Sequence, residues 1–456
     1  MNSIIKKAYD ISPVFVQNIM ISLYGRKLYR ERYSNVYYEH LDFLRNNFNK
    51  IDHYSYQKEM LNNFLNHVVK NSIYYNKRIN KNFLPIKKLN DLENMPIIDK
   101  EVLRENIDSI ITNPRKSLIP SFTGGTTGKS LNIFFTHADM EKRMAFLDYF
   151  KERHGVKKGM KRASFTGKSL VPLRQKKNVY WRYNSPLKQM LFSSFHLTEK
   201  NIPYYIQALN NFKPQSMDGF PSVMLTIARY IVQNQIKLSF KPIAIFPTAE
   251  MISDNDREIL EKAFSAPVRN QYASSEGAPF ITECPNGNLH LDIMTGVFEK
   301  VDKGSSISEI LVTAFETTGT PLVRYKIGDT LEFTDRKCTC GYDTPLVNRI
   351  LGRNMDFLYS KDRGKISSAN MSNTIKGLPN SVKKIQFVQS GTENITIRIV
   401  RDEKKFTHLH EEEILKEMAV RLGESIYLKI DYVEDIQVEK SGKYRMVKNH
   451  IKDLNQ

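Results

Sequence analysis

Cysteine is nearly absent. Three residues in 456 exclude a disulfide framework and fit a reducing cytoplasm. No apolar run approaches the roughly 20 residues of a membrane span. The longest N-terminal candidate, residues 11–24, is broken by Pro13, Gln17, Asn18 and Ser22, so it reads as neither a span nor a clean signal peptide. The chain has no internal repeat, no Pro- or Ser-rich linker and no Gly-x-Ser-x-Gly elbow, and the last of these removes the serine-hydrolase reading. Disorder is excluded too. Hydrophobic residues make up 41% and charged residues 26%, a globular composition in a chain long enough for two or three domains.

Acidic side chains are outnumbered. Sixty-eight Lys and Arg against 49 Asp and Glu leave a net charge of +19, a surface that attracts nucleotide phosphates, anionic lipid or nucleic acid. The basic residues are scattered rather than clustered, so nucleic acid is not read as a partner. A basic nucleic-acid-binding protein stands as the distant alternative to the enzyme reading below.

Residues 1–115 read as mostly helical: a packed helical subdomain, with an interfacial helix and peripheral membrane association as the second reading. Further on, Lys213-Pro214 precedes Asp218-Gly219-Phe220, and Pro221 opens an apolar-periodic helix through Ile227 and Ile231. Ile243-Ala244-Ile245-Phe246 reads as a buried strand, and residues 254–264 as a helix started by Ser253 or Asp254. Strand and helix alternating at this pitch predict an α/β layer with a parallel sheet. The pattern changes near residue 354. Residues 384–388 and 395–399 alternate about Ser390-Gly391-Thr392, a hairpin. Residues 406–422 predict an amphipathic helix with Leu409, Ile414, Leu415, Met418 and Leu422 on one side, ended by Gly423, and Ile426, Leu428, Ile430 and Tyr432 mark a strand. This is a self-contained α+β unit, which places a boundary between domains 1–353 and 354–456.

The most informative stretch is Thr123-Gly124-Gly125-Thr126-Thr127-Gly128-Lys129-Ser130. Glycines let a backbone approach an anion closely, and adjacent Thr hydroxyls can donate to phosphate oxygens. It is not a Walker A loop: Thr123 stands where that pattern needs glycine. Leu131, Ile133 and Phe135 then alternate with Asn132 and Phe134 as a strand, where a Walker loop leads into a helix.

This loop resembles the phosphate loop of the adenylate-forming, AMP-binding enzymes, and further motifs follow in that family's order. Tyr272-Ala273-Ser274-Ser275-Glu276 matches its Tyr-x-x-x-Glu segment. Arg324-Tyr325-Lys326-Ile327-Gly328-Asp329 resembles the ribose-binding segment, Gly352-Arg353-Asn354-Met355-Asp356 the hinge, and Lys440-Ser441-Gly442-Lys443-Tyr444-Arg445 the terminal lysine motif. The resemblance implies an α/β fold: a large N-terminal domain with parallel sheets and flanking helices, and a small mobile C-terminal α+β lid. It implies a nucleotide site of Thr123, Gly124, Gly125, Thr126, Thr127, Gly128, Tyr272, Ser275, Asp329 and Arg353. Tyr272 would stack on adenine, Asp329 hold the ribose hydroxyls, Glu276 hold Mg²⁺, and Thr126 and Thr127 hold the departing phosphates. Lys443 would neutralise charge at the reacting phosphate and Asp356 act as the pivot.

The branch it is most similar to is phenylacetate–coenzyme A ligase and the related capsule-biosynthesis adenylation proteins. This rests on Gly219-Phe220-Pro221-Ser222 after Lys213-Pro214, on Ser193-Ser194-Phe195-His196-Leu197, on Pro321-Leu322-Val323-Arg324-Tyr325 and on Cys338-Thr339-Cys340-Gly341. His196, Ala249 and Glu250 are the implied substrate pocket. Two departures stand out: Thr-Gly-Gly in the phosphate loop, and Pro247-Thr248-Ala249-Glu250 where a glycine is expected before the acidic residue. The implied activity is ATP-dependent activation of a small-molecule carboxylate to an acyl-adenylate, then transfer to coenzyme A. The alternative acceptor is a carrier protein or a sugar amine in capsule assembly.

A second constellation uses every cysteine. Cys284 and His290 flank the turn Pro285-Asn286-Gly287, and Cys338 and Cys340 follow 48 and 50 residues after His290. Three thiolates and one imidazole complete a tetrahedral shell for a structural Zn²⁺. His137 and His154 read as surface or loop residues.

Overall fold

The computed structural model describes residues 3–122, 131–172, 177–250, 252, 254–352, 357–367, 371, 381–436 and 446–451. The glycine–threonine loop 123–130, Arg353, Asp356 and Lys443 lie outside them.

The central α/β repeat forms a five-stranded sheet, in the order Trp181–Asn184, Gln189–Ser193, Arg162–Thr166, Ser216–Gly219 and Ala244–Pro247. The first pairing is antiparallel and the other three are parallel. The helix Ile202–Phe212 joins two of these strands and buries Ile202, Tyr205, Ile206, Leu209 and Phe212, a stripe at helical spacing. Pro221 opens the next helix, Pro221–Gln233, as expected. The strand after it lies one residue later than the apolar run suggested. Ile243 is exposed and its amide donates to the Gln215 carbonyl at 2.8 Å, whereas all four residues of Ala244–Pro247 are buried.

A second sheet of seven strands is antiparallel at every pairing. It carries Gln271–Tyr272 at one edge and the long strand Leu322–Thr334 in its interior, and it packs with the helix His53–Asn71 in one apolar core. Ile133 and Phe135 enter the same core from the strand Asn132–Phe135. That strand pairs antiparallel with Ile119–Phe122, so the segment after the glycine–threonine loop is extended, as predicted.

A cluster of cation–π contacts is one of the places where the N-terminal helices are fastened to this body. Lys158 Nζ sits 4.9, 4.3, 4.9 and 4.5 Å from the ring centroids of Tyr29, Tyr33, Tyr37 and Tyr38, and donates to the Tyr38 hydroxyl at 2.7 Å. That bond is the main cause holding the Tyr38 phenol below its usual pKa. The buried Tyr37 hydroxyl donates to Asp148 at 2.9 Å.

The C-terminal residues build a four-stranded sheet, ordered Tyr427–Tyr432, Asn394–Arg401, Val382–Gly391 and Val447–Asn449, with its own core under the helix His408–Leu422. Ile414, Met418 and Leu422 are buried as expected, and Gly423 ends the helix at φ +89°. Leu409 corrects the predicted face: it is 74% exposed, because at about 100° per residue it lies about 140° round the helix from Ile414, off the stripe that Ile414, Met418 and Leu422 bury. Arg421 lies over the Phe195 ring at 4.4 Å and Glu417 faces Lys6 at 3.8 Å, so this unit touches the body through charged side chains.

Gly219 is a point of close backbone approach. It has φ +134°, and a Cβ there would lie 2.0 Å from the Phe165 carbonyl oxygen, which already accepts the Phe220 amide at 2.8 Å. Gly219→Ala is expected to lower unfolding free energy by more than about 2 kcal/mol, read as a shifted urea midpoint. An unchanged midpoint would show that the crossover is loosely held.

Candidate active site

Two of the sequence-predicted nucleotide residues meet directly. Tyr272 ends the edge strand Gln271–Tyr272 and Asp329 lies on Leu322–Thr334, and the Tyr272 hydroxyl donates to Asp329 Oδ2 at 2.6 Å. Glu276 is buried four residues after Tyr272, in the turn that leaves the edge strand. Ser275 is tied to the strand leading into the glycine–threonine loop, for Ser121 Oγ donates to the Ser275 carbonyl at 3.3 Å. Tyr272, Ser275, Glu276 and Asp329 thus converge on the approach to residues 123–130.

Two residues that the sequence reading missed hold this frame, and a third, Glu316, lies buried near them. Asp139, 2% exposed, accepts from the amides of Thr136 at 2.9 Å, Thr318 at 3.0 Å and Gly319 at 3.0 Å, and from the Thr318 hydroxyl at 2.7 Å. Its signal was present as the capping pair Thr136 and Asp139 at the start of the helix His137–Arg153. Arg143, one turn on, is buried. Its Nη1 donates to the carbonyls of Gly277 at 2.8 Å and Ala278 at 3.1 Å, immediately after Glu276, and its guanidinium lies 4.4 Å from the Phe280 ring centroid. Burial brings Arg143 down to about 10. Burial also pushes the Glu316 carboxyl up to about 7, against the attraction of Arg143.

The residues assigned to a substrate pocket are less united. Glu250 accepts from the Ser222 amide at 2.9 Å and its hydroxyl at 3.0 Å, so its carboxylate sits at the N-terminus of the helix Pro221–Gln233. Ala249 stands at φ +66°, a left-handed conformation that favours glycine, which is why relatives of this pattern would carry one. His196 Nδ1 is 2.8 Å from Ser193 Oγ, Nε2 is 3.2 Å from the Pro172 carbonyl, and the ring stacks on Tyr180 at 5.5 Å. His137 is an exposed helix start, whereas His154 is half-buried, with Nε2 2.8 Å from the Glu283 carbonyl.

The cysteine–histidine constellation comes together. Sγ of Cys284, Cys338 and Cys340 and a ring nitrogen of His290 all lie within 4.8 Å of one another. The Cys284 and Cys338 sulfurs are 3.7 Å apart, and Cys340 Sγ is 3.3 Å from His290 Nε2. Around a tetrahedral ion with bonds of about 2.3 Å, two thiolates sit about 3.8 Å apart, so the spacing fits zinc. Thr344 Oγ1, 2.8 Å from Nδ1, leaves Nε2 facing the sulfurs.

Comparison with known proteins bears on the chain as a whole. Residues 358–450 match a family model described as the CapK C-terminal domain. Protein CapK of Staphylococcus aureus is 43% identical over 449 residues, which cover 97% of this chain and 99% of that protein. Among solved structures, 2-hydroxyisobutyryl-CoA ligase with 2-HIB-AMP and CoA in the thioesterification state superposes with a TM-score of 0.56 at 16% identity, over 86% of this chain and 89% of that one. The same ligase in its postadenylation state, with R3-HIB-AMP, gives 0.54 over 86% and 88%. At this identity the likeness establishes a shared fold with that ligase.

The Glu316 carboxyl makes stability depend on pH with a definite sign. Below pH 4.5, the group's ordinary value, it is protonated in both folded and unfolded chains. Between 4.5 and about 7 only the unfolded chain has ionised, so stability falls as pH rises, and above that the loss is complete. Glu316→Gln is therefore expected to match the native protein near pH 4 and to exceed it near pH 8 by on the order of 2 kcal/mol, read by denaturant unfolding across pH. A difference that is flat in pH would mean that Glu316 titrates normally.

Proposed function

This chain belongs to the CapK family, and we propose that it is an adenylate-forming ligase that activates a small-molecule carboxylate with ATP and passes the acyl group to coenzyme A. The observation that carries this reading is the bond from the Tyr272 hydroxyl to Asp329. It joins the two positions that the sequence pattern assigns to adenine and ribose, and Tyr272 stands four residues before buried Glu276 in the chain.

In the first step a carboxylate oxygen attacks the α-phosphorus of ATP. The new acyl–oxygen–phosphorus link forms as the bond to the β-phosphate bridging oxygen breaks, and pyrophosphate leaves. No protein nucleophile is needed, only alignment and charge stabilisation. Thr126 and Thr127 would hold the departing phosphates, Asp329 would fix the ribose, and Lys443 would offset charge between carboxylate and α-phosphate. Glu276 is a hard oxygen donor suited to Mg²⁺, which when bound supplies neutralisation of the phosphate charge. The second step is attack of the acceptor thiol on the acyl carbon with loss of AMP. The unit after Asp356 would turn between steps, and its charged contacts with the body, Arg421 on Phe195 and Lys6 with Glu417, suit an interface that opens. The second reading of the acceptor, a carrier protein or sugar amine, is kept by the 16% identity to the CoA ligase, too low to transfer its acceptor.

The test is pyrophosphate release over a panel of carboxylates. One or more acids should raise release above the ATP-only rate, and Lys443→Ala should cut it by roughly 100-fold while the protein remains folded. Release that no acid stimulates, or a full rate in the variant, contradicts the reading. A thioester formed on adding coenzyme A separates the first acceptor from the second.

We also assign Cys284, His290, Cys338 and Cys340 to one structural Zn²⁺, since four protein ligands fill the tetrahedron and leave no open position. Purified protein is expected to carry about one zinc per chain by elemental analysis, and Cys338→Ser to lower metal content and melting temperature together. Metal-free protein of full stability would remove the assignment.

A further inference from the structure

In its first three turns the helix Val14–Arg32 inverts the usual arrangement. Gln17, Asn18 and Ser22 face the protein. Gln17 is buried, donating to the Tyr9 carbonyl at 2.8 Å and accepting from Arg182 Nε at 2.6 Å. Asn18 Oδ1 accepts the Tyr183 amide at 3.0 Å, and Ser22 Oγ accepts the Ser185 amide at 3.1 Å. Gly25 lies so close to Asn184 that a Cβ would fall 2.0 Å from its Oδ1. The apolar residues point outward. Phe15, Ile19 and Leu23, one per turn over about 12 Å, are 66%, 54% and 60% exposed. Ile11, at the end of the preceding helix Ser3–Ile11, is 87% exposed and extends the stripe.

Basic charge predominates around this stripe, although Lys27 pairs with Glu31 at 3.7 Å. Residues 14–25 carry no charged side chain, and Arg26, Lys27, Arg30 and Arg32 follow. Over residues 3–32, six basic residues face two acidic ones, Asp10 and Glu31. Arg26, Lys27 and Arg30 line a groove with Leu23, Glu31 and His137, directly beside the apolar stripe.

We propose that this face docks on an anionic lipid surface, with Phe15, Ile19 and Leu23 in the headgroup–acyl boundary and Arg26, Lys27 and Arg30 on lipid phosphates. An interfacial helix needs an apolar face that can sink roughly 5–10 Å and basic residues that pair with anionic headgroups, and both are present on one side of this helix. A second copy of the chain suits the face poorly, for it would bring cation against cation on a protein of net charge +19. Rigid seating of the opposite face on Arg182, Tyr183, Asn184 and Ser185 means that the helix presents its stripe without refolding.

The experiment is vesicle flotation of the full chain, with phosphatidylcholine alone and with added phosphatidylglycerol, across a salt series. Its readout is lipid binding, independent of the adenylation chemistry. The protein is expected to float with the anionic vesicles, and less so as salt rises. Arg26→Glu/Lys27→Glu/Arg30→Glu should weaken partitioning by roughly fivefold per residue. Phe15→Glu/Ile19→Glu should weaken it about tenfold or more even at low salt, with circular dichroism unchanged because both positions are exposed. Absence of binding to anionic vesicles at low salt overturns the proposal. So does equal binding by both variants. A native dimer by analytical ultracentrifugation that Phe15→Glu/Ile19→Glu converts to monomer also overturns it, since a second copy would then cover the stripe.

Discussion

The carboxylate of Asp139 is the fastening on which the candidate site depends. Four hydrogen bonds reach it, from Thr136, from Gly319 and twice from Thr318, in a place with almost no water. A buried carboxylate is tolerable only when its oxygens are satisfied, and satisfying them ties a helix start to a sheet turn. Thr320 completes the seam, its hydroxyl accepting from the Phe134 amide at 2.8 Å and donating to the Phe134 carbonyl at 2.9 Å. The strand Asn132–Phe135 therefore has one position relative to the antiparallel sheet that carries Asp329. Arg143, from the same helix, then sets the carbonyls just after Glu276.

Local elements were legible where sequence and neighbours agreed. The helix Asp254–Phe264 and the hairpin of Val382–Gly391 with Asn394–Arg401 appear where periodicity placed them, because each buries one face against one layer. Leu409 was misread because, five residues before Ile414, it falls outside the i, i+4, i+8 stripe that the helix buries. The seven-stranded antiparallel sheet was not read at all. Several of its strands are only two to five residues long, too short for an alternating pattern to show, and one seam, Leu289–Leu291 with Leu346–Gly352, joins segments more than 50 residues apart. Of the site, the motif residues Tyr272, Glu276 and Asp329 could be named, yet their supports could not. Asp139 and Arg143 act through backbone groups more than 130 residues away, and no local pattern announces such a partner. Ala249 lies between these cases: the missing glycine was visible, while the left-handed backbone that explains it was not.

The cysteine–histidine cluster shows how a weak spacing becomes a strong geometry. Cys-x-Cys is a tight pair by itself. The strands Leu289–Leu291 and Leu346–Gly352 pair antiparallel, with His290 opposite Leu346, and this register carries the loop holding Cys338 and Cys340 back over the turn after Cys284. Convergence of the four ligand atoms is thus a property of the sheet, and the cluster in turn closes a loop that leaves the sheet for more than ten residues.

Lys158 has a bearing on the chemical reactivity of the whole surface. Most lysines of so basic a chain present their amines to water. This one is walled by four tyrosine rings on two N-terminal helices and spends a proton on Tyr38. Its bond to Tyr38 and its contacts with the rings compete with attack by an electrophile that acylates amines. Lys158 is therefore expected to label more slowly than a lysine that makes no such contacts, and faster when the helices lift away. The cage is in this sense a built-in reporter of the seating of the N-terminal helices, readable residue by residue in a mass spectrum.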